Sequence, residues 1–296
     1  MRLHARLSTR DRHGLRERKP YPLALILAVT MIGLVAFRLG EFNPSLAKVR
    51  PVLVTVTLVL VFLAWNFRRL GVGSLARDRI IILAFTLFTW AIVTIPFALW
   101  KRYAFEAVFI FPVGLLLLVM ISVVPPQPRF LNALLKCVVL LGSAVAALSL
   151  HGGHRVFGRL TTAGMLDPND LAGLLGTVLP FAVAVGLDRR SAGVVQKAIF
   201  WSALALISWS LLQTGSRGGT LAMIVGVLLV TVGLRMKRLL VFLLTFSIAG
   251  PVIWANTPEA VRDRLRSMTT LEDDYNLTED YGRIATWKRG AVSYTH

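Results

Sequence analysis

The stretch Leu212-Gln213-Thr214-Gly215-Ser216-Arg217-Gly218-Gly219 sets one arginine among glycines. Glycine allows positive φ and a close approach of the backbone. Backbone amides in such a turn, at the start of a helix, form a concavity that suits an anion. Arg217 adds a planar fork of donors matched to phosphate oxygens. Ser216 stands beside it as a further polar contact. The plainer reading is a glycine hairpin with an arginine reaching for the headgroups.

Two further stretches carry similar chemistry. Asp167-Pro168-Asn169-Asp170 precedes an apolar run. An Asp or Asn there is an ordinary helix N-cap. A cap needs one such group, and Asp167, Asn169 and Asp170 supply three, which leaves room for a substrate contact. Near the end, Arg283 and Trp287 stand four apart, on one face of any helix they form. An arginine beside an aromatic suits a sugar phosphate, and Trp287 equally suits a membrane interface. The acids Glu272, Asp273 and Asp274 upstream read as solvated loop. His151, His154, Arg155 and Arg159 also read as a solvated loop. Glu106 is the one carboxylate that looks buried in an apolar run. Ionisable groups in such segments are costly and often functional, although Lys101 and Arg102 offer it a simple ion pair.

The elements that position these residues are apolar runs. Of 296 residues, 55% are hydrophobic and only 16% charged. Nine runs can be marked, near 22–37, 52–67, 80–99, 104–124, 132–150, 171–187, 198–213, 218–234 and 239–255. Several reach the ~20 residues needed to cross a bilayer. The expected fold class is therefore all-α, a polytopic transmembrane helix bundle over 22–255. Residues 1–21 form a basic N-terminus and 256–291 a polar segment of a different character. The prolines inside spans, Pro96, Pro112 and Pro180, read as kinks whose freed groups neighbouring helices satisfy. Asn256 or Thr257 reads as the cap of a surface helix over 259–268.

The net charge of +18 is concentrated in short segments between the runs. With the N-terminus inside, the inner segments hold 19 Lys/Arg and the short outer loops hold 8. Positive residues stay on the cytoplasmic side, so this orientation is expected. It places all three polar stretches outside, in a periplasm. No nucleic-acid reading motif appears, and no nucleic-acid partner is expected. The single cysteine, Cys137, forms no intrachain disulfide. Neither a metal nor another cofactor is expected, because no metal-ligand spacing is present.

Together, Asp167-Pro168-Asn169-Asp170-Leu171-Ala172, Thr214-Gly215-Ser216-Arg217-Gly218-Gly219 and Gly282-Arg283 with Trp287 and Gly290 resemble the O-antigen ligases and polymerases in order and spacing. The resemblance covers about residues 160–290. It implies an inner-membrane enzyme that moves a glycan from an undecaprenyl pyrophosphate donor. The implied acceptor is a sugar hydroxyl of the lipid A core, or the growing glycan in the polymerases, or a protein in other relatives. Arg217 and Arg283 match the arginines implied to hold the donor pyrophosphate. Family ligases carry a histidine further along the same loop, so the resemblance implies more loop and further spans. Val292-Ser293-Tyr294-Thr295-His296 resembles a translated sequencing adapter, and 292–296 reads as a non-native tail. Two other classes fit the sequence less well. A lipid-linked glycan transporter would show internal repeats and charges near the midplane, and neither is seen. A non-catalytic membrane subunit would tolerate loss of its outer arginines.

Overall fold

The computed structural model describes residues 22–42, 48–66, 75, 78–123, 127–162, 166–187, 193–232, 247, 250–252, 254–266 and 284–289. Over these the protein is all-α apart from one short hairpin. The helices are α1 (Pro22–Val35), α2 (Pro51–Trp65), α3 (Arg79–Thr94), α4 (Lys101–Val123) and α5 (Pro128–Gly152). Strands β1 (Arg155–Val156) and β2 (Arg159–Leu160) follow. Then come α6 (Pro168–Leu187), α7 (Val194–Gln213), α8 (Arg217–Val232) and α9 (Glu259–Arg266).

Proline opens four of these helices, at Pro22, Pro51, Pro128 and Pro168. Its fixed φ suits the first helical position, and its missing N–H would have no intrahelical partner there. This explains why α5 and α6 start a few residues before the apolar runs at 132 and 171. At the other end of α3 the expectation of a kink at Pro96 is corrected. The α-helix stops at Thr94, and Ile95–Phe97 forms a 3-10 turn with Pro96 in its first positions. Pro112 and Pro180 do lie inside helices, α4 and α6.

Among the described residues, five helical segments are long and apolar enough to cross a membrane: Arg79–Phe97, Lys101–Ser122, α5, α6 and α7. Three more, α1, α2 and Arg217–Leu229 of α8, are apolar but shorter. The ninth expected span, 239–255, falls largely outside the described residues. Only 6% of the apolar stretch within Arg79–Phe97 is buried within the protein, against 56% for that of α6. Large side chains such as Ile80, Leu83 and Trp90 of α3 are exposed. A helix so apolar and so uncovered calls for an apolar surrounding, which a bilayer supplies.

The chain divides into two compact units. The first comprises Met1–Met31 and Val52–Leu134. Within it Asp78 caps α3 by accepting from Ile80 N at 2.9 Å. Phe88 of α3 stacks on Phe111 of α4, with ring centroids 5.6 Å apart.

The second unit comprises Ile32–Pro51 and Leu135–His296. Its centre is α6. Leu171, Ala172, Leu175, Gly176, Val178, Leu179, Ala182 and Val183 recur as pairs every three to four residues, and all are buried. That pattern gives a broad buried stripe. Small residues let the neighbours come close, as they do where helices pack in lipid. A Cβ on Gly219 of α8 would lie 2.5 Å from Ala172 Cβ. One on Gly226 would lie 2.8 Å from the ring of Pro180. Gly142 of α5 is equally tight against Val178, at 2.8 Å.

Gly219→Val should therefore push α8 off α6 and cost about 1–3 kcal/mol, the usual penalty of overpacking. Gly173→Ala, on a face with nothing within 4 Å, should not lower stability, because alanine suits a helix interior better than glycine. Thermal unfolding of the two variants in one detergent would show the difference. Equal midpoints would refute the close packing.

Candidate functional site at a meeting of three helix ends

In the second unit the start of α6, the end of α7 and the start of α8 meet. Each helix end leaves backbone groups without intrahelical partners. The local sequence satisfies most of them.

At α6 the carboxylate of Asp167 accepts from the amides of Asn169 at 2.6 Å and Asp170 at 2.8 Å. Asp167 is thus the N-cap, and Asp170 adds a favourable negative charge in the first turn. Both are exposed. Leu166 N donates to Thr162 Oγ1 at 2.7 Å, which fixes the approach to the cap.

The turn from α7 to α8 is built on its own side chains. Thr214 N and Gly215 N donate to the carbonyls of Leu211 and Leu212. Gly215 holds φ +59°, a value that disfavours any side chain. Thr214 Oγ1 donates to Leu211 O at 2.6 Å and accepts from Ser216 N at 3.2 Å. Ser216 Oγ accepts from Gly219 N at 3.3 Å, capping α8. Thr214 and Ser216 are both buried. The turn amides expected to line an anion-binding concavity are thus partly engaged within the fold. Several amides of this turn are taken up by the turn itself, because buried N–H groups require partners. Arg217 is half-buried as the first residue of α8.

Residues 151–159 are largely exposed, as expected of a solvated segment, but they are not a loop. His151 and Gly152 end α5. Arg155 and Arg159 lie on the two-stranded hairpin, with Arg155 opposite Leu160 and Val156 opposite Arg159. Phe157 and Gly158 form its tip, with φ of 51° and 76°. Positive φ at both central residues matches a type I′ turn, whose twist suits a hairpin. Both arginines reach the end of α7. Arg155 donates to Gln213 Oε1 at 3.1 Å and to Gly158 O at 3.2 Å. Arg159 donates through Nε to Thr214 O at 2.8 Å. Its terminal nitrogen donates to Asn169 Oδ1 at 2.8 Å. A cation at a helix C-terminus is favourable, and here it also fills an orphan carbonyl.

Helix α9 covers the turn. Val261 is fully buried, and a Cβ on Gly215 would lie 3.6 Å from its methyls. Ala260 sits over Gly158 at the hairpin tip. The helix spans Glu259–Arg266, close to the expected 259–268. Asn256 does not act as its cap. Its amide donates backward to Val252 O at 2.8 Å.

The structure thus brings Asp167, Asn169, Asp170, Ser216 and Arg217 to one region of the second unit. It adds Arg155, Arg159 and Gln213. No sequence signal marked these, because Phe-Gly is not a typical hairpin pair and the partners of Arg159 lie 10 and 55 residues away. Glu106 belongs to the first unit. It is not buried: it pairs with Arg102 at 3.1 Å, and its side chain is 55% exposed. Its position one turn after Arg102 on α4 explains the pair. Arg283 lies outside the described residues. Trp287 lies in the helical stretch 284–289 and is 71% exposed. Among the described residues no group of three or more metal-ligating side chains occurs.

Comparison with protein-family models, with curated proteins and with solved structures finds no match.

Asp167→Ala should remove two hydrogen bonds from the start of α6 and cost about 1 kcal/mol, the usual worth of an N-cap. Asp167→Asn should keep most of that stability. Thermal unfolding checks both. If Asp167→Ala unfolds like the unaltered protein, the capping role fails.

Proposed function

We propose that this chain is a membrane glycan transferase of the O-antigen ligase and polymerase class. In this reading nine spans cross the bacterial inner membrane. The N-terminus is cytoplasmic and residues 256–296 are periplasmic. The donor is an undecaprenyl pyrophosphate-linked glycan. The acceptor is a sugar hydroxyl of the lipid A core, or in a polymerase the growing glycan.

The observation that carries the reading is the juxtaposition of two polar motifs far apart in sequence. Asp167-Pro168-Asn169-Asp170 and Thr214-Gly215-Ser216-Arg217 meet through Arg159. Both motifs stand at ends of helices that are apolar along their length, so polar chemistry would occur beside a bilayer. A lipid-linked substrate needs that placement.

The transfer itself asks for a specific kind of help. The acceptor oxygen attacks the anomeric carbon, and the bond from that carbon to the pyrophosphate oxygen breaks. Negative charge grows on the leaving pyrophosphate, and the hydroxyl proton passes to a base. Fixed guanidinium groups aimed at the leaving group favour the transition state over the ground state. Arg217 and Arg283 are assigned that role. Asp170 and Trp287, both exposed, are assigned to substrate contact, while the buried Ser216 shapes the turn as the cap of α8. Asp167 shapes the site as the cap of α6.

Arg217→Ala or Arg283→Ala in the full-length protein should lower transfer by about 10²–10³-fold, the scale for loss of one charge-stabilising donor. Membrane insertion should stay intact. Complementation of a deletion strain, read as the glycan ladder with protein quantified in the membrane fraction, tests this. An unchanged ladder in either variant would refute the role and favour a non-catalytic subunit.

A further inference from the structure

We propose that Arg159 is a positioning residue that sets the orientation of Arg217, and this rests on the transferase reading above.

A guanidinium is a rigid planar fork, so two acceptors held by one fork are held at a fixed angle to each other. Arg159 uses Nε for Thr214 O and a terminal nitrogen for Asn169 Oδ1, both at 2.8 Å. These acceptors belong to the end of α7 and the start of α6. One half-buried side chain therefore ties two helix ends together. Thr214 is also the residue whose hydroxyl accepts from Ser216 N, and Ser216 caps α8 through Gly219 N. A hydrogen-bonded chain thus runs from Asn169 through Arg159 and Thr214 to Ser216. Arg217 is the next residue.

The turn is confined on a second side. A Cβ on Gly215 would lie 3.6 Å from Arg159 Cγ and equally from both methyls of Val261. The stem of Arg159 and helix α9 thus lie within ordinary contact distance of Gly215, which holds a φ of +59°. Asn169 accordingly serves the clamp through its oxygen. Arg155 supports the same end of α7 from the other strand, through Gln213 Oε1. Arg217 itself makes a contact within the fold, so its placement is shared with its own partners.

A purely structural arginine and a positioning one differ in what their loss does. The test uses the full-length protein in lipid nanodiscs, unaltered and as Arg159→Gln, Arg159→Lys, Arg217→Gln and the Arg159→Gln/Arg217→Gln pair. Amide hydrogen exchange is followed over residues 212–220 and over the interiors of α6 and α8. In Arg159→Gln the turn amides should exchange about 10–100-fold faster, the scale for loss of a charged hydrogen bond. The helix interiors should not change, and Arg217→Gln should leave the turn protected. In transfer assays Arg159→Gln should lower kcat by about 10²-fold, the scale for misplacing a catalytic group. The donor KM should stay nearly constant, and Arg159→Lys, which keeps a charge but not the fork, should fall between. The paired variant should be no worse than Arg217→Gln alone, since residues acting as one unit are not additive. Unchanged turn protection in Arg159→Gln, or multiplicative losses in the pair, overturns the proposal. Absence of transfer by the unaltered protein overturns the transferase reading, and the exchange result then decides the clamp by itself.

Discussion

A helix leaves its first amides and last carbonyls without partners inside itself. In the second unit three such ends converge, and the polar cluster there is the answer to that constraint. Asp167 fills amides of α6, Ser216 fills one of α8, and Arg159 fills a carbonyl of α7. An unsatisfied buried group costs about 1–3 kcal/mol. Beside a low-dielectric bilayer these bonds are strong when made and expensive when absent. The residues that satisfy these backbone groups also fix the turn that carries Arg217.

That convergence depends on how closely the helices approach. Gly219 lets α8 reach Ala172, and Gly226 makes room for the ring of Pro180. Proline within α6 removes one backbone bond, and close neighbours are what make it tolerable in lipid. Packing of this kind has little hydrophobic drive, because lipid tails are as apolar as the helices, so contact area and small residues dominate. A rigid α6–α8 pair is a sound base for a charged site, since a group held on helix ends keeps its geometry better than one on a free loop.

The arginines of the cluster do different things despite their shared chemistry. Arg155 and Arg159 spend donors on carbonyl and amide oxygens of the fold. Arg217 stands at the start of α8, where the helix dipole is positive and an anion is favoured. Asp167 and Asp170 keep the neighbouring start of α6 negative. The two helix starts are thus unlike in charge.

Much of the architecture was legible in the chain. The apolar runs located α1 to α8 within a few residues, because length and hydropathy alone decide what can lie in a bilayer. The N-cap at Asp167 was legible for a similar reason, being a contact between residues two and three apart. The turn at Gly215 was legible from its glycine. What the sequence could not supply was the role of residues whose partners are distant. Arg155 and Arg159 looked like loop charges, and Phe157-Gly158 carried no clear turn signal. Glu106 looked buried, since hydropathy reports the run and not the face, and it proved an exposed ion pair. Local chemistry is written along the chain. Which helix ends meet is decided only when close packing of α6 with α8 brings Asn169 and Thr214 within reach of one guanidinium.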